Sequence, residues 1–138
     1  MINSRKLSDL LPAVGQKCAD FIAECLKADI RVIITSTYRD VQAQDAIYAQ
    51  GRTVPGRIVT NCQGGDSIHQ YRRAFDFVPL DIKGQPDWDD LALWRKCGQI
   101  GQGVGLEWGG SWHSFTDMPH MQDAGGCTLA QLKEQQSA

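Results

Sequence analysis

One stretch of this chain, Ala74-Phe75-Asp76-Phe77-Val78, sets a carboxylate in the middle of an otherwise apolar, strand-like run. Side chains alternate across a strand, so Ala74, Asp76 and Val78 share one face and Phe75 and Phe77 the other. A charge in such surroundings is costly unless it is paired. The chain must therefore fold so that something meets Asp76. Two partners are open from spacing alone: Arg72 or Arg73 as an ion pair, or a metal ion.

The histidines bear on that choice. There are three, His69, His113 and His120. His69 lies seven residues before Asp76, too far for one helical turn, but the two meet if His69 ends a loop and Asp76 sits on the strand that follows. His120 closes the run Asp117-Met118-Pro119-His120, where Pro119 disfavours helix at Met118 and favours a short extended segment. Catalytic zinc is held by three protein ligands with a fourth position open. A carboxylate beside that position, here Asp117, can take a proton from water. The alternative is an ordinary surface loop around Asp117 and His120. His113 reads as a surface residue, with exchange for His120 as the other possibility.

Length and charge narrow the field further. The chain has 138 residues and a formal net charge of −2, enough for one domain with a single core and without the basic footprint of a nucleic-acid binder. No apolar run approaches the roughly 18 residues of a membrane span. Asp9, Pro12, Gly15 and Lys17 interrupt the N-terminal region, so no signal-peptide core is expected. Five cysteines, none in a CxxC pair, read as small buried hydrophobes of a reducing compartment.

Apolar periodicity predicts a helix from Ser8 to Lys27 with Ser8 as N-cap, and a buried strand over Arg31–Thr35. Asp40 is expected to cap a second helix ending near Gln50 and Gly51. A glycine-punctuated loop covers 51–66. A third helix is expected to open at Pro86-Asp87, to present Trp88, Leu91 and Trp94 on one face, and to end before Gly101, Gly103 and Gly105. Thr128 and Gln131 offer a capping box for a short terminal helix.

Five ordered motifs then resemble one peptidase family: Thr35-Ser36-Thr37-Tyr38-Arg39, the segment Gln50 to Asn61, Ser67-x-His69-x6-Asp76, Trp108-Gly109-Gly110-x-Trp112, and Ser114-Phe115-x-Asp117-x-Pro119-His120-x-Gln122. The family is the L-alanyl-D-glutamate endopeptidases of bacteriophage endolysins, related to VanY-like D-Ala-D-Ala carboxypeptidases and VanX-like dipeptidases. The resemblance covers about residues 30–122 of a single 1–138 domain. It implies a small α+β zinc-peptidase fold of the Hedgehog and D-Ala-D-Ala peptidase type, with helices packed on a mostly antiparallel sheet. It implies one catalytic zinc held by His69, Asp76 and His120, with Asp117 as general base. Arg39 would hold the substrate carbonyl, and Ser67 would lie at the substrate edge.

The implied reaction is hydrolysis of the L-Ala–D-Glu bond of the peptidoglycan stem peptide by water activated by zinc and Asp117. The alternatives are a D-Ala-D-Ala carboxypeptidase and a non-catalytic, metal-bearing wall-binding module. A monomer is expected, with no nucleic-acid partner and no membrane insertion. It would be made in the host cytoplasm and act on the wall after holin release. Glu107 competes with Asp117 for the role of base. Arg39 competes between the site and an ion pair with Asp40 or Asp45. Trp108 and Trp112 could line a cleft or fill the core. Three positions depart from the family pattern: Arg72 where relatives have Gly, Ser111 where many have Asp, and Met121 in place of Phe. A cationic Arg72 in the cleft would favour the carboxypeptidase.

Overall fold

Pro12 decides where the first helix begins. The computed structural model describes residues 1–137, and in it helix α1 spans Pro12–Lys27 with Pro12 at its first position. Ser8 is not the N-cap that periodicity suggested: Leu7–Asp9 form a separate 3-10 turn. Proline lacks an N–H to donate and restricts Leu11 to extended backbone, so the helix cannot run through it from Ser8. Val14, Cys18, Phe21 and Cys25 form the buried stripe of α1.

Strand β1 covers Val32–Ser36 and helix α2 Val41–Ala49. Asp40 caps α2 as expected, its carboxylate accepting from the Ala43 N–H at 2.8 Å, and Gly51 takes a positive φ just beyond the end. Strand β2 is Ala74–Pro79. Helix α3 spans Leu91–Gly103 and is capped by Asp90 rather than opened by Pro86-Asp87. Trp88 precedes it and is 57% exposed, Leu91 is exposed, and only Trp94 of the expected face is buried.

Helix α3 also continues through Gly98 and Gly101, which are buried. A Cβ on Gly98 would lie 2.2 Å from the Trp108 ring, and one on Gly101 would lie 2.3 Å from Met121 Cε. These glycines cost helix propensity, but they let the helix lie directly on large side chains. Close packing overrides the stop signal that the glycines present in sequence.

Strands β3 (Glu107–Trp108) and β4 (His120–Gln122) complete a four-stranded sheet of order β1-β2-β4-β3. Every pairing is antiparallel. Helix α4, Leu129–Ser137, carries the Thr128–Gln131 capping box, with reciprocal bonds of 2.9 and 3.2 Å. Among the described residues no helix is long and apolar enough to cross a membrane.

The sheet divides the molecule by the two-residue period of its strands. Phe75 and Phe77 face the helices, where Phe77 meets the Phe21 ring edge-on at 5.0 Å and Trp94 at 5.2 Å. Met121 and Trp108 join this core. Asp76 lies opposite His120, and Gln122 opposite both Ala74 and Glu107. These residues point to the other face, so one register supplies both the core and the site.

Candidate metal centre and cleft

His69 arrives on a 3-10 turn, Ile68–Tyr71, that the sequence builds with its own cap. Ser67 Oγ accepts from the His69 N–H, and Gln70 Oε1 accepts from the Ser67 N–H at 3.1 Å. The turn ends at Arg72, whose φ of 62° and ψ of 30° are left-handed. Glycine meets no steric penalty there, which gives a physical reason for the family preference. Arg72 instead lies over the Tyr38 ring at 4.0 Å and donates to Asp9 O at 2.9 Å.

Donor atoms of His69, Asp76 and His120 all lie within 4.8 Å of one another, and these residues form the one such group of three among the described residues. His69 Nε2 is 3.2 Å and His120 Nδ1 3.4 Å from the same oxygen, Asp76 Oδ1. Arg39 approaches Asp76 Oδ2 at 3.8 Å. Arg72 and Arg73 are not its partners, because Arg72 turns to Tyr38 and Asp9 and Arg73 donates to Asp123 O. The donor set fits zinc: two imidazoles and a carboxylate, with the distal nitrogen of each imidazole already hydrogen-bonded. His69 Nδ1 meets Thr37 O at 2.7 Å, and His120 Nε2 meets Gln122 Oε1 at 2.7 Å.

Burial and charge shape the titration of the group. Burial disfavours the charged form of Asp76, but the charges and hydrogen bonds of His69 and His120 more than offset this and hold its carboxyl well below the usual range. Burial raises Asp117, and the Asp76 charge adds to it against the opposing pull of His120 and Arg39. Asp117 Oδ2 stands 4.0 Å from His120 Nδ1. Gly109 makes room for it: a Cβ there would lie 2.4 Å from Asp117 O, and Asp117 N–H donates to Gly109 O at 3.0 Å.

The cluster forms the floor of a cleft of about 580 Å³. Ile47, Val59 and Ile68 line it together with Trp88, Trp112 and Phe115, and Ser67, Arg39 and Asp117 open onto it. The two tryptophans left open by sequence part company. Trp108 is a core residue whose Nε1 donates to Met118 O, while Trp112 lies in the cleft with its ring 5.2 Å from that of His120. Met121 is buried in the core and does not reach the cleft, and the Ser111 hydroxyl donates to Trp108 O. His113 is exposed and outside the cluster. Glu107 is exposed and bonded to Gln122 rather than facing Asp117's position. Arg39 pairs with neither Asp40, which caps α2, nor Asp45, which accepts from Gly64 N–H. Its Nε is buried without a hydrogen-bond partner among the described residues.

Sequence reasoning assigned no part to Thr37, Gly109 or Gln122 as supports of this site. Thr37 contributes a backbone carbonyl, which no residue type announces. Gly109 and Gln122 stand inside recognised motifs, but only the sheet register shows what they do.

A four-stranded antiparallel sheet with a His-Asp-His cluster on one face and helices α1 and α3 on the other defines a small α+β domain of the zinc-peptidase type. Residues 60–123 match the D-alanyl-D-alanine carboxypeptidase family of M15 peptidases. Over 123 residues the chain is 37% identical to the peptidoglycan L-alanyl-D-glutamate endopeptidase CwlK of Bacillus subtilis (strain 168), covering 83% of this chain and 74% of CwlK. It is 30% identical over 125 residues to the L-alanyl-D-glutamate peptidase of Listeria phage A118, covering 88% of this chain and 40% of the phage protein. Among solved structures, the zinc complex of the vancomycin resistance D,D-pentapeptidase VanY (E175A mutant) superposes with a TM-score of 0.63 at 14% identity, covering 92% of this chain and 79% of that one. The chain belongs to the M15 peptidase family.

Proposed function

We propose that this protein is a zinc-dependent peptidoglycan peptidase that cuts the L-Ala–D-Glu bond of the stem peptide. The observation that carries this reading is the convergence of His69, Asp76 and His120 on the floor of a cleft, with the Asp117 carboxylate beside them. In this reading one zinc is held by His69 Nε2, an Asp76 oxygen and His120 Nδ1. When bound, it supplies a Lewis acid that acidifies water and polarises a peptide carbonyl.

The chain's own residues supply the rest. Asp117 accepts a proton from the water whose oxygen attacks the scissile carbonyl carbon. As the C–N bond breaks, the protonated Asp117 gives that proton to the leaving amine. The Arg39 guanidinium, with its unpartnered Nε, donates to the carbonyl oxygen as negative charge builds there. Ser67 borders the substrate while its oxygen caps the turn that carries His69. The protein acts on the cell wall as a monomer after a holin opens the membrane.

The choice of bond rests on the cleft's charge and on the relatives. A carboxypeptidase needs a cation to receive a terminal carboxylate. Arg39 is the sole Lys or Arg among the described residues lining the cleft, and it faces Asp76. Arg72, the other candidate, is turned to Tyr38. CwlK and the Listeria phage A118 peptidase are both named for the L-Ala–D-Glu bond, although the family itself carries the carboxypeptidase description. Digestion of purified peptidoglycan followed by mass spectrometry tests the reading. New N-terminal D-Glu, abolished by a chelator, is expected. Free D-Ala without new glutamyl amine would make the protein a D,D-carboxypeptidase. No release by folded, zinc-loaded protein would leave a wall-binding module.

A further inference from the structure

His120 can face a metal in only one tautomer, and two residues outside the donor cluster select it. Glu107 on edge strand β3 lies opposite Gln122 on β4, which also follows His120 by two positions and so shares its face. Gln122 Nε2 donates to Glu107 Oε2 at 2.5 Å, and Gln122 Oε1 lies 2.7 Å from His120 Nε2. An ionised carboxylate only accepts. Glu107 therefore turns the Gln122 amide so that its NH2 points outward and its oxygen points to the imidazole. That oxygen in turn only accepts, so His120 Nε2 carries the proton. Nδ1 faces Asp76 Oδ1 and the centre of the cluster, where a bound metal would take the place of the proton Nδ1 otherwise shares with Asp76.

His69 is set the same way by one bond, from Nδ1–H to Thr37 O, which leaves Nε2 to face the cluster. The two imidazoles thus present different nitrogens, each chosen by an acceptor on its far side. The His69 acceptor is backbone and cannot be deleted. The His120 acceptor is a side chain held by an exposed carboxylate.

We infer that Gln122 and Glu107 are positioning residues that fix the tautomer and ring orientation of His120, and through it the affinity of the site for metal. The inference rests on His120 being a metal ligand. Partners of this kind change metal affinity by about 10–100-fold when removed.

The experiment is zinc binding measured by competition with a chromophoric chelator, with melting of each metal-free variant as a check on folding. Gln122→Leu and Glu107→Ala should weaken zinc binding, Gln122→Leu by about 10–100-fold, while the metal-free melting temperature is unchanged. The exchanged pair Glu107→Gln/Gln122→Glu keeps the same order of donors and acceptors, because Gln at 107 donates to Glu at 122, which accepts from His120. It should recover binding to within a few-fold of wild type, which a merely structural contact would not do. Proton–nitrogen spectra of the metal-free protein report the imidazole directly. The His120 Nε2–H should exchange slowly in wild type and rapidly in Gln122→Leu. Unchanged zinc affinity in Gln122→Leu, or an exchanged pair no better than that variant, overturns the inference. If wild type binds no zinc, the metal reading fails, and the nitrogen shifts of His120 Nε2 and Nδ1 still decide the tautomer.

Discussion

His69 and His120 are both buried, yet their titrations move in opposite directions. Burial lowers the His69 pKa, and the attraction of Asp76 does not make up the difference. For His120 the same penalty is outweighed by the hydrogen bond and charge of Asp76, by Asp117 and by Gln122. The second carboxylate thus makes the environment of His120 the more negative. Asp117 is also the residue whose removal should separate binding from chemistry. Asp117→Ala should keep its zinc by elemental analysis and lose about 10²–10⁴-fold in turnover, whereas His69→Ala should lose the zinc itself. An active Asp117→Asn enzyme beside a Glu107→Gln one that is dead with its zinc still bound would reverse the assignment of the base.

At the scale of elements, small residues decide how closely the pieces approach. Gly98 of α3 sits under the Trp108 ring, which its own hydrogen bond to Met118 O holds in place. Gly98→Ala improves helix propensity by up to about 1 kcal/mol, but overpacking of this kind costs about 1–3 kcal/mol. A net loss of stability is expected, measured as a lower urea midpoint. The turn after His69 gives a second case. Arg72 holds a left-handed conformation and offsets the strain by stacking on Tyr38 and bonding to Asp9 O. Arg72→Ala keeps the strain and loses both contacts, while Arg72→Gly loses the contacts and the strain together. The melting temperatures should run wild type, then Gly, then Ala, with Ala below Gly by about 1 kcal/mol of stability. Cleavage should survive in both variants, because Arg72 does not line the cleft. Selective loss of peptidase activity in folded Arg72→Gly would return that cation to the substrate site.

Across the whole molecule, helix α1 is tied to the segment just after β4 by Lys17 and Asp123, 2.5 Å apart. The bond from Lys17, ahead of the opposing effect of partial burial, holds the Asp123 carboxyl below its ordinary range. A carboxyl lowered on folding stabilises the fold above its unfolded pKa, about 3.9. That stability is lost as pH falls through the lower folded value. Asp123→Asn should therefore melt below wild type at pH 7, and the two curves should converge as pH falls below about 4. A gap that stays constant down to pH 2 would show that the ion pair contributes nothing.

By itself the sequence determined the elements whose signals are local. Asp40 capped α2, Thr128 and Gln131 formed their box, and the alternation around Asp76 divided one strand between core and site. The order of the motifs also carried the family. Where a local signal met a stronger constraint, the expectation moved: Pro12 displaced the start of α1 from Ser8, and contact with Trp108 and Met121 kept α3 helical through its glycines. Only the tertiary structure decided what met Asp76, because His69, His120 and Arg39 reach it from separate segments. It alone sent Arg72 to Tyr38, divided Trp108 from Trp112, and set Glu107 behind Gln122. Spacing fixes which way a side chain leaves its own strand or turn. What that side chain meets depends on how distant segments come into register, and no residue type records that.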